Sequence, residues 1–206
     1  MVDPDEHTRN LAANSSPTGW FEQLYAQAAQ GNAEVPWDRP EPFALLPEWA
    51  RDVDGTGRTA LVVGCGYGRD SEFLARKGFA VTAFDISPTA IDTVRQRFPD
   101  SPVDYRVADL LAPPAEWHHA FDLVVESLTV QSLPIELHPE AIGQVARLVK
   151  STLLVMGGAR DDDSPIPDGP PWPLTATEVE SFATDGLRAV SIRRTEDRWL
   201  AEFTRQ

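Results

Sequence analysis

The residues with the clearest chemical potential lie at Leu61–Phe73, LVVGCGYGRDSEF. An apolar run enters Gly64-Cys65-Gly66-Tyr67-Gly68 and continues into a helical pattern. Glycines there allow a tight turn and let a ligand approach the backbone. The spacing is G-x-G-x-G. A dinucleotide fingerprint places its third glycine three positions after the second, not two. No Gly-Lys-Ser/Thr follows, so a P-loop is excluded. Asp85 closes the next apolar run, 21 residues after Gly64. An acid at that place can accept both ribose hydroxyls of an adenosine-containing cofactor. Asp109 closes the run after that, in VADLL, where an adenine amino group could be bound.

The remaining candidates are ranked by the sheet edge they occupy. In a parallel α/β sheet, ligands lie beyond the carboxyl ends of the strands. Glu126 ends the run FDLVVES and is the first choice for contact with cofactor or acceptor; His138, before the returning helix, is the second catalytic candidate. His118 and His119 precede that run, so they fall on the opposite edge. Asp161, Asp162, Asp163, Asp168 and Trp172 lie in the long loop GGARDDDSPIPDGPPWPL, which reads either as a solvated cover or as a wall facing a sugar or polyol. Cys65 reads as a small packed side chain rather than a nucleophile. No spacing marks a metal site.

These residues need a scaffold, and the chain supplies an alternating one. Residues 1–18 are polar and read as a loose arm. Helices are expected at about 20–30 and 42–50, forming an N-terminal cap over 19–58. An α/β core then spans 59–206, so that 19–206 is one domain. Strands are expected at about 59–64, 80–84, 103–107, 123–125 and 152–156, with helices between them. Ser87-Pro88 is an N-cap followed by proline at the first helical position. Thr175 and Glu178 form a capping box. Two last strands, near 187–193 and 199–204, turn at Glu196-Asp197 and pair antiparallel.

Composition narrows the classes. The 206 residues carry 18 Lys+Arg against 32 Asp+Glu, a net charge of -14. Nucleic acid and anionic membrane are poor partners for such a surface, since phosphate binding rests on Lys and Arg. One cysteine allows no internal disulfide and suits a cytoplasmic protein. No apolar stretch reaches the ~20 residues of a membrane span.

GCGYG, Asp85, Asp109-Leu110 and FDLVVES, in that order and spacing, resemble the class I S-adenosylmethionine-dependent methyltransferases. Trp20, Tyr25 and PWDRPEP resemble the small thiopurine and tellurite-resistance group of that family. The resemblance implies a Rossmann-like three-layer sandwich with a seven-stranded, mostly parallel sheet whose last strand is antiparallel. It implies S-adenosyl-L-methionine as cofactor, held by Gly64, Cys65, Gly66, Gly68, Asp70, Asp85, Ile86, Asp109 and Leu110, with Glu126, Tyr25 and Trp37 nearby. The expected activity is methylation of a small molecule, oxygen preferred over sulfur, by a monomer or homodimer. No base-methylation motif follows the fourth strand, and a lone cysteine disfavours metalloid chemistry. The competing readings are thiopurine- or tellurite-type S-methylation, a nicotinamide-dependent oxidoreductase, and a non-catalytic module that keeps the cofactor fold.

Overall fold

The computed structural model describes residues 3–206. Seven strands form one sheet: β1 (Thr59–Val63), β2 (Ala80–Asp85), β3 (Asp104–Val107), β4 (Phe121–Ser127), β5 (Val149–Gly158), β6 (Leu187–Arg194) and β7 (Arg198–Arg205). Their order is β3-β2-β1-β4-β5-β7-β6. β1 pairs with β2 and with β4 in parallel, and β7 alone runs antiparallel to its neighbours β5 and β6. Chain order reverses between β1 and β4, so a crevice opens there beyond the carboxyl ends.

Among the described residues, seven α-helices accompany the sheet: α1 (Pro4–Ala13), α2 (Gly19–Ala29), α3 (Leu45–Trp49), α4 (Arg69–Arg76), α5 (Pro88–Arg97), α6 (His138–Leu148) and α7 (Ala176–Glu180). The strands separate two apolar layers by parity. Leu61, Val63 and Val124 face α6 and Phe182. Ala60, Val62, Leu123 and Val125 face Leu74 of α4 with Ile91 and Val94 of α5. A strand buried on both faces must be apolar throughout, which is why β1 reads as an unbroken run.

The caps expected from sequence are formed. Ser87 Oγ accepts from Ala90 N, with Pro88 opening α5. Thr175 and Glu178 cap each other's backbone N–H at α7. Of the cap helices, α2 sits on α5: Trp20, Leu24 and Tyr25 pack with Ala90, and Glu22 accepts from Ser87 Oγ and Thr89 Oγ1 at 2.5 and 2.6 Å.

One expectation is corrected. The arm at 1–18 is not loose over 4–13, where α1 forms; residues 1 and 2 lie outside the described residues. Leu11 and Ala12 pack on the cap cluster, and His7 bonds Gln27 at 2.7 Å. Tertiary contact, not a strong apolar period, supports this helix. No described helix is long and apolar enough to cross a membrane.

Candidate functional site

A cavity of about 1020 Å³ opens along the carboxyl edge of the sheet. That is the upper end of the usual range for small-molecule sites, roughly 300–1,000 Å³. It runs from β2 and β3, across the glycine turn after β1, to the turn after β4 and the loop after β5.

The glycine turn is built around positive φ at Gly64, Gly66 and Gly68 (58°, 50° and 82°), a region that side chains disfavour. At Gly66 a Cβ would stand 2.9 Å from the Tyr25 hydroxyl. At Gly64 it would strike Thr129. Asp85 organises the turn: Oδ2 accepts from Gly66 N and Oδ1 from Ser87 N, each at 2.9 Å. Burial pushes its carboxyl up to about 6, with the backbone N–H groups of Ser87, Gly66 and Ile86 pulling the other way. The carboxylate has about four lone-pair sites, so these three leave acceptor capacity for a ligand hydroxyl.

The expected cofactor residues converge here. Gly64, Cys65, Gly66, Asp70, Asp85, Ile86, Asp109, Leu110, Tyr25 and Trp37 all line the cavity; Gly68 sits behind them against Tyr105 and Val94. Asp109 Oδ1 accepts from Leu111 N, which fixes the loop beside Leu110. Asp70 Oδ1 accepts from Phe43 N at 2.8 Å, tying α4 to the cap, and burial raises its carboxyl. The Trp37 indole N–H donates to the Tyr25 hydroxyl at 2.8 Å above Gly66. Arg97 braces the segment that carries Trp37. It pairs with both oxygens of Asp38 at 2.8 Å and lies 3.8 Å over the Tyr67 ring. Burial holds the Cys65 thiol well above its ordinary value, so it is a wall and not a thiolate.

Both catalytic candidates are displaced from the cavity. Glu126, 1% exposed, shares the parity of Val124, so its side chain enters the α6 layer beneath the edge. There Oε1 accepts from Thr129 N and Val130 N at 2.8 and 2.9 Å, while Oε2 is buried without a partner. Burial pushes this carboxyl up to about 7. His138, also 1% exposed, bonds the Leu133 carbonyl through Nε2 at 2.9 Å and Glu178 through Nδ1 at 2.6 Å. A carbonyl only accepts, so Nε2 donates to Leu133 O. Burial opposes ionisation of Glu178, yet its bonds from His138 and Thr175 hold the carboxyl below its ordinary value. Glu126 and His138 therefore clamp the turn after β4 from behind; neither touches the cavity.

Of the two readings of the acidic loop, the solvated cover fits. Asp161, Asp162, Asp163 and Asp168 do not form a polar wall: Asp161 to Asp163 are exposed, and Asp161 pairs with Arg194 at 2.6 Å. Pro170, Pro171 and Pro173 face the cavity instead. The Trp172 indole N–H donates to Pro167 O. His119 pairs with Asp185 at 2.8 Å on the opposite edge, where strand order puts it. Residues without a sequence signal complete the wall: Thr8 of α1, and Ser127, Leu128, Gln131 and Leu133 of the turn after β4.

Residues 60–152 match the family described as "Methyltransferase domain". The match covers a little under half of the chain, and over it the sequence is similar to that family. A "Ubiquinone biosynthesis O-methyltransferase" of Azotobacter vinelandii is 38% identical over 98 residues, 43% of this chain. That alignment spans 42% of the relative's own length. A "Probable thiol methyltransferase 2" of Arabidopsis thaliana is 26% identical over 187 residues, covering 88% of this chain and 79% of the relative. Among solved structures, a SAM-dependent methyltransferase from Anabaena variabilis superposes with a TM-score of 0.74 at 14% identity, over 90% of this chain and 93% of that one. Its likeness is one of fold.

The residues present fit the cofactor of this family. The cavity touches backbone at Gly64 and Gly66, where a side chain would fill the approach. Asp85 keeps acceptor capacity beside it, and Ile86, Leu110 and Phe84 offer an apolar wall for a base.

Proposed function

We propose that this methyltransferase acts on a small, soft nucleophile, a thiol before a hydroxyl, with Gly64, Gly66 and Asp85 holding S-adenosylmethionine and Ile86, Asp109 and Leu110 receiving its adenine. When bound, the cofactor supplies an electrophilic methyl group. The chain's own part is to align the acceptor and exclude water, effects worth on the order of 7–11 kcal/mol. Tyr25 and Trp37 cover the glycine turn, and the three prolines with Leu128 and Leu133 form a dry acceptor wall.

The observation that carries the choice of sulfur is the lack of an imidazole or amine base. Among the described residues lining the cavity there is no histidine and no lysine. A neutral hydroxyl needs its proton removed during transfer. A thiol, with a pKa near ~8.5, is partly ionised in solution already. The thiol-type relative covers most of this chain, which agrees. A second reading, O-methylation, is favoured by one feature: Asp70, whose raised carboxyl lines the cavity, could take a proton. A cytoplasmic setting belongs to this proposal, in keeping with the single buried free Cys65. So does a surface that avoids nucleic acid.

Transfer of labelled methyl to matched thiols and alcohols decides between the readings. The thiol reading expects turnover with thiols that rises with the acceptor's own ionisation. Turnover confined to alcohols or phenols, lost in Asp70→Asn, would replace it with the second reading.

A further inference from the structure

The turn after β4 presents one side chain whose bonding is incomplete. Gln131 lies in the short 3-10 helix Val130–Ser132, on the carboxyl edge between β4 and β5. Its backbone is fixed on both sides. Thr129 Oγ1 donates to Val63 O at 3.0 Å, anchoring the turn to the end of β1. Trp172 N donates to Gln131 O at 2.7 Å, anchoring it to the proline loop. The residue is 7% exposed and lines the cavity.

Its amide orientation follows from its partner. Gly158 N–H donates to the side chain, and only an oxygen can accept that hydrogen. The NH₂ group is thereby turned away from Gly158, and it has no partner among the described residues. Glycine at 157 and 158 makes the fit possible, because a Cβ at either position would stand 3.1 or 3.2 Å from Gln131 Oε1. Pro173 and the Gln131 oxygen meet at Gly158, and Leu128, Leu133, Pro170 and Pro171 line the same cavity. The nearby hydroxyls are committed, Thr129 to Val63 O and Ser132 to Leu128 O at 2.8 Å. The NH₂ group is open to the cavity rather than sealed from it; a ligand that displaces water there must supply an acceptor or leave the donor unpaired, which is costly.

We infer that Gln131 is a specificity-determining residue, whose side-chain NH₂ donates to a carbonyl, carboxylate or ring-nitrogen acceptor carried by the methyl-accepting molecule. This rests on the reading of the cavity as a methyl-transfer site. The site then selects a soft nucleophile with a hydrogen-bond acceptor close to the reacting atom and rejects a bare hydrocarbon of the same size. Such rejection arises because the hydrocarbon would leave the amide unpaired.

The test uses methyl thioglycolate and 1-butanethiol, similar in length and differing in an ester group that supplies the carbonyl acceptor. Calorimetric titration at pH 8 into the full chain saturated with S-adenosylhomocysteine gives their affinities. The wild type should bind methyl thioglycolate about tenfold tighter. Gln131→Glu keeps an oxygen for Gly158 N and removes the donor. It should abolish the preference, read as the ratio of the two affinities in the same variant. Should that variant not fold, the side-chain amide signals of Gln131 in the ¹⁵N-labelled wild type should shift with methyl thioglycolate and not with 1-butanethiol. Equal binding of the two probes, binding of neither, or a preference that survives Gln131→Glu overturns the inference. Labelled-methyl transfer to the same probes separates it from the proposed function. Selective binding without transfer refutes thiol methylation and leaves Gln131 standing; transfer without selectivity does the reverse.

Discussion

Replacing Glu126 with glutamine should make the protein more stable at neutral and alkaline pH. The carboxyl is fully enclosed beneath the sheet edge, with Oε2 lacking any partner. Three ionisable groups face it or its neighbours: His138 from α6, Glu178 from α7, and Arg160, whose guanidinium is 3.9 Å from Glu178. Burial lifts its pKa from 4.5 to about 7. The folded protein then holds this proton more tightly than the unfolded chain. Stability from this group is full below about 4.5 and is lost as pH rises to about 7. At ~1.4 kcal/mol per pH unit the loss totals roughly 3 kcal/mol. An amide cannot ionise, so Glu126→Gln removes the loss while keeping the oxygen that serves Thr129 N and Val130 N. Urea denaturation of both proteins from about pH 4 to about pH 8.5 reads the effect. The curves should meet near pH 4.5 and separate above it, the variant gaining up to about 3 kcal/mol by about pH 8. Parallel curves, or a wild type that is the more stable at the alkaline end, would refute the reasoning.

Three other outcomes follow from the same geometry. Gly66→Ala places a Cβ 2.9 Å from the Tyr25 hydroxyl at a φ of 50°; it should cost at least ~1 kcal/mol in thermal unfolding and abolish binding of S-adenosylhomocysteine. Asp85 accepts ligand hydroxyls best when ionised, and its carboxyl titrates at about 6; affinity for S-adenosylhomocysteine should therefore hold from about pH 8 to 7 and fall below about pH 6, by up to about tenfold per unit. A flat calorimetric profile would contradict that. His119→Ala should leave methyl transfer unchanged and stability within about 1 kcal/mol, since His119 and Asp185 form a half-exposed pair on the far edge; loss of turnover in the folded variant would overturn the placement.

The readable part of this molecule is local. Thr59–Val63, the glycine turn and Asp85 follow one another in sequence, so their joint geometry is visible before any tertiary contact. Ser87-Pro88 and Thr175–Glu178 mark their helix starts for the same reason. What sequence reasoning misses needs the third dimension. Glu126 lies on the expected edge, but its side-chain face depends on strand parity with Val124, and that face lies under α6. His138, expected to reach forward, instead bonds Leu133 and Glu178. The aspartates of the loop after β5 suggest a polar wall, yet the prolines turn inward because apolar rings fit the cavity and charges prefer water. α1 has too little apolar period to announce itself and exists because α2 covers it. Gln131 carries no motif; its meaning comes from Gly158, 27 residues away, which orients its amide.

Calorimetric titration of the wild type and Asp85→Ala with S-adenosylhomocysteine, and separately with NADH, bears most directly on the account. The cavity should take one equivalent of S-adenosylhomocysteine, lose affinity by about tenfold or more in Asp85→Ala, and give no heat with NADH. Binding of NADH alone, or S-adenosylhomocysteine bound equally well by both proteins, would contradict the claim that the turn after β1 and the acid after β2 together form the cofactor cradle.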